Sequence, residues 1–102
     1  MNVQIQTVHF SADSKLLEHV NAKIAKLKTF HDRIIGADVY LKIDNRSHQV
    51  RDKIAEIKIY VPKHSYFVKH QSKTFEESFD LAFDSLVNQV KRQKEKHQLA
   101  FN

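Results

Sequence analysis

The sequence predicts an α+β fold in the order β-α-β-β-β-α, a four-stranded mixed sheet with two helices on one face. Short stretches alternate apolar and polar residues, the period of half-buried strands. Two longer segments instead repeat their apolar residues at three- and four-residue intervals, the period of amphipathic helices. Each helical stripe needs an apolar surface to cover it, and one face of a sheet can serve both.

Val3, Ile5 and Thr7 alternate with Gln4, Gln6 and Val8 and mark the first strand. In "SADSKLLEHVNAKIAKLKTF", Asp13 or Ser11 can cap a helix whose buried stripe is Leu16, Val20, Ile24 and Leu27, with Leu17 beside it. Gly36 is expected to supply the break after that helix. The alternating sets Val39, Leu41, Ile43 and Ala55, Ile57, Ile59, Val61 predict the second and third strands. The polar stretch "NRSHQVRD" connects them as an exposed hairpin loop.

Pro62 ends the third strand, and "SYFVKHQ" is the fourth. Its register stays open, because Tyr66 and Val68 alternate with Phe67, which is also apolar. Thr74 followed by Glu77 is a capping box for a last helix spanning about 74–97. Phe75, Phe79, Ala82, Phe83, Leu86 and Val90 are its buried stripe. A first strand, helix and second strand form a right-handed crossover with parallel strands, and the later hairpins are antiparallel.

The 102 residues suit one domain, residues 1–102, with a single core to which seven Phe bring large apolar surfaces. One Gly and one Pro leave no linker and no Gly-rich phosphate loop. The absence of cysteine excludes disulfides and thiolate chemistry and suits a reducing compartment. The start "MNVQIQTVHF" lacks the features of a secretory signal, and no apolar run is long enough to span a bilayer, so the expected location is cytoplasmic.

The formal net charge of +5 points to an anionic partner, and its placement is more informative than its sum. Lys15, His19, Lys23 and Lys26 fall on one flank of the first helix's stripe and Lys28 on the other. Lysines that flank a stripe also serve soluble helices simply by covering apolar surface. In the last helix, Glu76, Glu77, Asp80 and Asp84 precede a basic end at 91–97 carrying Lys91, Arg92, Lys94 and Lys96. Acid first and base last complements the helix dipole, but the apolar stripe stops at Val90 while the cations continue. Such an end either frays or lies against something outside the domain.

Lys and Arg on helices match phosphate oxygens and release condensed counterions on binding; alone they do not read bases. Neither an aromatic RNP pattern nor a GXXG loop is present, which favours a folded RNA recognised through its backbone. Tyr40, Tyr60 and Tyr66 can be imagined as a stacking platform on the open sheet face, although packing is the commoner role of strand tyrosines. The seven histidines form no compact ligand motif: His64 and His70 are six apart, and His9 and His19 ten apart. Asp32 beside His31 and Asp44 near His48 lack a nucleophile arrangement. Neither an enzyme nor a metal or cofactor site is expected. Charge on His19 or His97 offers at most a pH-sensitive modulation of RNA binding.

"AKIAKLKTFHDRI", Ala22 to Ile34, resembles the KL-aromatic-DRI segment of the ribosome hibernation promoting factor and ribosome-associated inhibitor family. "AFDSLVNQVKRQKEKH", Ala82 to His97, resembles that family's second helix with its basic end. The two at this separation are more specific than either alone. The resemblance implies a fold similar to the double-stranded RNA-binding domain. It also implies binding to the small ribosomal subunit and its RNA, in the channel of messenger RNA and the A- and P-site transfer RNAs. Translation would be inhibited reversibly, by occupancy, in slow growth or stationary phase. Carried over by position, the ribosomal RNA contacts are Lys23, Lys26, Lys28, Arg33, Lys91, Arg92, Lys94 and Lys96, with Lys26 and Arg92 foremost.

His31 follows Phe30 where relatives often show a second aromatic. The chain resembles the short form, without a C-terminal dimerisation domain, and is expected to be monomeric off the ribosome. No membrane and no small-molecule substrate is implied. A generic double-stranded RNA-binding module and a basic protein-interaction module are the competing readings.

Overall fold

The computed structural model describes residues 1–44 and 50–101, with side chains through residue 96. The strands are β1 (Asn2–Val8), β2 (Gly36–Ile43), β3 (Lys53–Val61) and β4 (His64–Ser72). The helices are α1 (Ser14–Ala25), continued by a 3-10 segment at Lys26–Thr29, and α2 (Phe75–Phe101). Strand order follows the sequence, with β1 parallel to β2 and the two later pairings antiparallel, as expected. The polar β2–β3 connection, His48 included, lies partly outside the described residues.

α1 begins where the Asp13 carboxylate accepts the Leu16 backbone N–H at 2.8 Å, so Asp13 is the cap and Ser11 is not. Leu16, Val20 and Ile24 are buried as the stripe requires. The α-helix stops at Ala25, and Leu27 is carried inward by the tighter 3-10 segment that follows. Both Phe30 and His31 donate backbone N–H groups to the Leu27 carbonyl, at 2.9 and 3.0 Å, which closes the turn.

Gly36 does not end that helix: it opens β2, and no glycine adopts a positive φ. Its use is close approach. Gly36 pairs with Asn2 of the parallel strand, and a Cβ there would sit 3.1 Å from the Asn2 carbonyl oxygen. The expected alternation along β1 also fades at its end, since Thr7 is exposed on this edge strand while Val8 is half-buried.

Pro62 and Lys63 form the two-residue corner between β3 and β4, because Val61 pairs with His64. Pro62 presets the first position, and Lys63 takes φ 65°, a left-handed conformation uncommon for a lysine. Pairing then settles the register of β4. Tyr66 lies opposite Ile59 and Val68 opposite Ile57 on the buried face, leaving Phe67 52% exposed on the other. Tyr66 is therefore a core residue and takes no part in an open-face platform.

One core lies between the sheet and both helices, joining Val39, Leu41, Ile57 and Ile59 to Val20, Ile24, Phe79 and Leu86. Its polar exceptions sit where α2 starts. The buried Ser78 hydroxyl lies 2.6 Å from the Lys53 carbonyl oxygen and 2.9 Å from both the Thr74 carbonyl and the Ser72 hydroxyl. These bonds tie the first turn of α2 to β3 and β4. Thr74 caps that turn by accepting the Glu77 N–H at 3.1 Å.

α2 continues as a helix to Phe101, past the expected end at residue 97. Val90 is its last buried residue before six successive exposed positions, 91–96. At 1.5 Å per residue the helix is about 40 Å long, and the molecule measures 51 × 24 × 19 Å.

Candidate nucleic-acid interface

The stripe that buries α1 fixes which of its cations can reach solvent. His19 and Lys23 lie on the side facing α2, where Asp80 receives both: His19 Nε2 at 2.7 Å and Lys23 Nζ at 2.9 Å. Burial works to raise the Asp80 carboxyl, but its hydrogen bonds with Lys23 and His19 outweigh that and hold it below the ordinary value. Lys23 also lies 5.5 Å from the centre of the Phe83 ring. Its charge is thus largely committed within the domain.

The 3-10 segment does the opposite. Lys26 and Lys28 are exposed on either side of the buried Leu27, and neither forms an ion pair with a described residue. Phe30 then turns back toward α2, where the Lys91 ammonium lies 5.4 Å from its ring centre. Arg33, exposed just beyond, and Lys94 of α2 border one cavity of about 430 Å³. The structure therefore brings Arg33, Lys91 and Lys94 together where the chain leaves the first helix.

On the exposed end of α2, Lys91 and Lys94 are about 60° apart around the axis, and Arg92 and Lys96 about 40° apart on another face. Glu95 is the only acid among residues 91–96. None of the four cations forms an ion pair with a described residue. His97, also named from the sequence, lies outside the described side chains.

The sheet face away from the helices is mixed in charge. Lys42 meets Glu56 at 3.1 Å, and the Tyr60 hydroxyl donates to the Asp38 carboxylate at 2.8 Å. Tyr60 is held protonated to higher pH than an ordinary tyrosine by that hydrogen bond, with smaller contributions from desolvation and the Asp38 charge. Lys58 and Lys69 on this face also form no ion pair with a described residue, so unpaired cations are not confined to the helix side. Among the described residues no His, Asp and Glu group is arranged to hold a metal ion, and no helix is long and apolar enough to cross a membrane.

The family model described as sigma 54 modulation protein / S30EA ribosomal protein matches residues 3–98. The chain belongs to that family. This is the family anticipated from Ala22–Ile34 and Ala82–His97. A search of curated protein sequences gives no significant match. Among solved structures, the chain is similar to a ribosomal subunit interface protein from Coxiella burnetii at 18% identity and a TM-score of 0.82, covering 93% of this chain and 99% of that one. It is also similar to the N-terminal domain of Protein Y from Thermus thermophilus at 25% identity and a TM-score of 0.76, covering 90% of this chain and 98% of that one. The helix–sheet architecture of this sigma 54 modulation / S30EA chain is thus that of its structural relatives.

Of the eight cations singled out in the sequence, seven stand exposed with no ion-pair partner among the described residues, and Lys23 is the exception. Asp80, the residue that withdraws Lys23, went unrecognised from the sequence because its acidity is equally explained by a position early in a helix.

Proposed function

We propose that residues 1–102 act as one ribosome-binding domain that occupies the small subunit through ribosomal RNA, in the channel used by messenger RNA and the A- and P-site transfer RNAs. Translation is inhibited reversibly because occupied RNA surface cannot accept its substrates, and the expected setting is slow growth or stationary phase in the cytoplasm. The carrying observation is the end of α2: an ordered helix whose burial ends at Val90 yet which continues with Lys91, Arg92, Lys94 and Lys96 all exposed. Arg33 borders the same cavity as Lys94, and Lys26 and Lys28 stand exposed on the 3-10 segment that precedes it.

Family membership supports the ribosome as the target, as does the fold shared with a protein described as a ribosomal subunit interface protein. Steric occupancy needs no catalytic group, cofactor or small-molecule substrate. Lysines and arginines on helices supply affinity and position through phosphate contacts, so specificity comes from the shape of the folded RNA. The protein acts as a monomer when off the ribosome.

Competition on purified small subunits tests this reading. Messenger RNA with initiator transfer RNA is expected to displace the protein, and binding is expected to weaken steeply with salt as counterion release is lost. Simultaneous occupancy without competition would contradict the channel assignment. Equal affinity for any RNA duplex would favour a generic double-stranded RNA binder.

A further inference from the structure

The cavity bordered by Arg33 and Lys94 has a chemistry that the phosphate-binding helix surface does not explain. At about 430 Å³ it falls within the ~300–1,000 Å³ range of small-ligand sites. Its apolar wall comes from the β3–β4 corner: Val61, Pro62 and the buried Tyr66. The His64 ring stands edge-on to Tyr66, with centroids 4.6 Å apart and planes at 85°. A flat aromatic group is the natural complement of such a wall.

The mouth is cationic on the sides supplied by the chain after the 3-10 segment and by α2. Arg33 and Lys94 are exposed there without ion-pair partners among the described residues. His31 adds a donor: its Nδ1 accepts the Arg33 backbone N–H at 3.1 Å, which puts the proton of the neutral imidazole on Nε2. Asp32, exposed between these two residues, is an acceptor that disfavours a bare anion and favours a ligand that also carries hydroxyl donors.

A planar ring, an anion and hydroxyl groups in one small molecule describe a nucleotide. We propose that this cavity binds one nucleoside monophosphate unit, its base against Pro62, His64 and Tyr66, its phosphate at Arg33 and Lys94, and its ribose hydroxyls toward Asp32. The unit is either a free nucleotide or an unpaired residue of an RNA strand, since the recognising chemistry is the same. The assignment goes beyond the ribosome reading and stands without it.

The test is a nitrogen-15 NMR titration of the full chain with AMP, GMP, CMP and UMP, and separately with inorganic phosphate. At least one nucleotide is expected to give saturable shifts centred on residues 31–33, 61–66 and 93–94, with affinity about tenfold or more above that of inorganic phosphate. The double variant R33A/H64A alters only exposed side chains and is expected to weaken nucleotide binding about tenfold or more, by loss of a charge-assisted contact, while melting like the wild type.

Competition by hexauridylate or hexaadenylate would identify an RNA strand as the source, and its absence a free nucleotide; both uphold the site. No saturable shift with any monophosphate or hexamer would overturn it. So would equal affinity for inorganic phosphate, or shifts confined to the outer turns of α2. Absence of nucleotide binding alongside intact small-subunit binding would overturn the cavity assignment alone.

Discussion

Lys23 Nζ lies 2.9 Å from the Asp80 carboxylate, so one cation on the flank of α1 is spent on holding α2. The pair is about a third exposed, and an ion pair so placed contributes about 1 kcal/mol or less. With His19 on the same carboxylate, it nevertheless sets the Asp80 carboxyl below its ordinary value of 3.8.

A depressed carboxyl means that the folded state resists protonation there more than the unfolded state does. Its stabilising contribution is complete above about pH 4 and fades as pH falls through the lowered value. Asp80→Asn is therefore expected to destabilise modestly near neutrality, with the gap to wild type narrowing below about pH 4. Urea melts across that range read the effect; a gap that widened in acid would contradict the assignment. Because the substitution releases Lys23, small-subunit binding should not weaken.

Phe79 is fully buried at the centre of the α2 stripe. Phe79→Ala is expected to cost about 3 to 5 kcal/mol, as loss of a core aromatic ring does. Equilibrium denaturation measures it. A loss under about 1 kcal/mol would mean that α2 does not seat on the sheet through this residue.

On the open sheet face, the Tyr60 hydroxyl donates to Asp38, and that bond is the largest contribution raising its pKa above 10.0. Asp38→Ala is expected to bring the tyrosinate transition of Tyr60 back toward 10.0. Alkaline absorbance titration of the single-tyrosine background, Tyr40→Phe with Tyr66→Phe, reads it directly. An unchanged transition would place the cause elsewhere.

Periodicity made most of the fold legible. The stripe from Phe75 to Val90 and the alternation from Ala55 to Val61 each fix an element and its buried face without knowledge of a partner. β4 was ambiguous because Tyr66, Phe67 and Val68 are apolar in succession, and only pairing with Ile57 and Ile59 decides which of them turn inward. Gly36 differs from its expected role for a related reason. A lone glycine after a helix signals a break, whereas its actual constraint is the approach of Asn2 on a strand distant in sequence.

The candidate interface divides in the same way. The cations at the end of α2 stand out because the apolar period stops beside them, a local signal. That Lys23 is neutralised by Asp80, and that His31 and His64 share a cavity with Arg33, depends on packing between elements far apart in the chain, which no spacing in the sequence encodes.

The most direct test of the account is sedimentation of a Lys26→Ala, Arg92→Ala, Lys96→Ala triple variant with purified small ribosomal subunits, beside its thermal melt. All three side chains are exposed and without ion-pair partners among the described residues. A wild-type melting temperature and a variant left largely in the supernatant are expected. Co-sedimentation equal to that of the wild type would show that this cationic surface is not the contact.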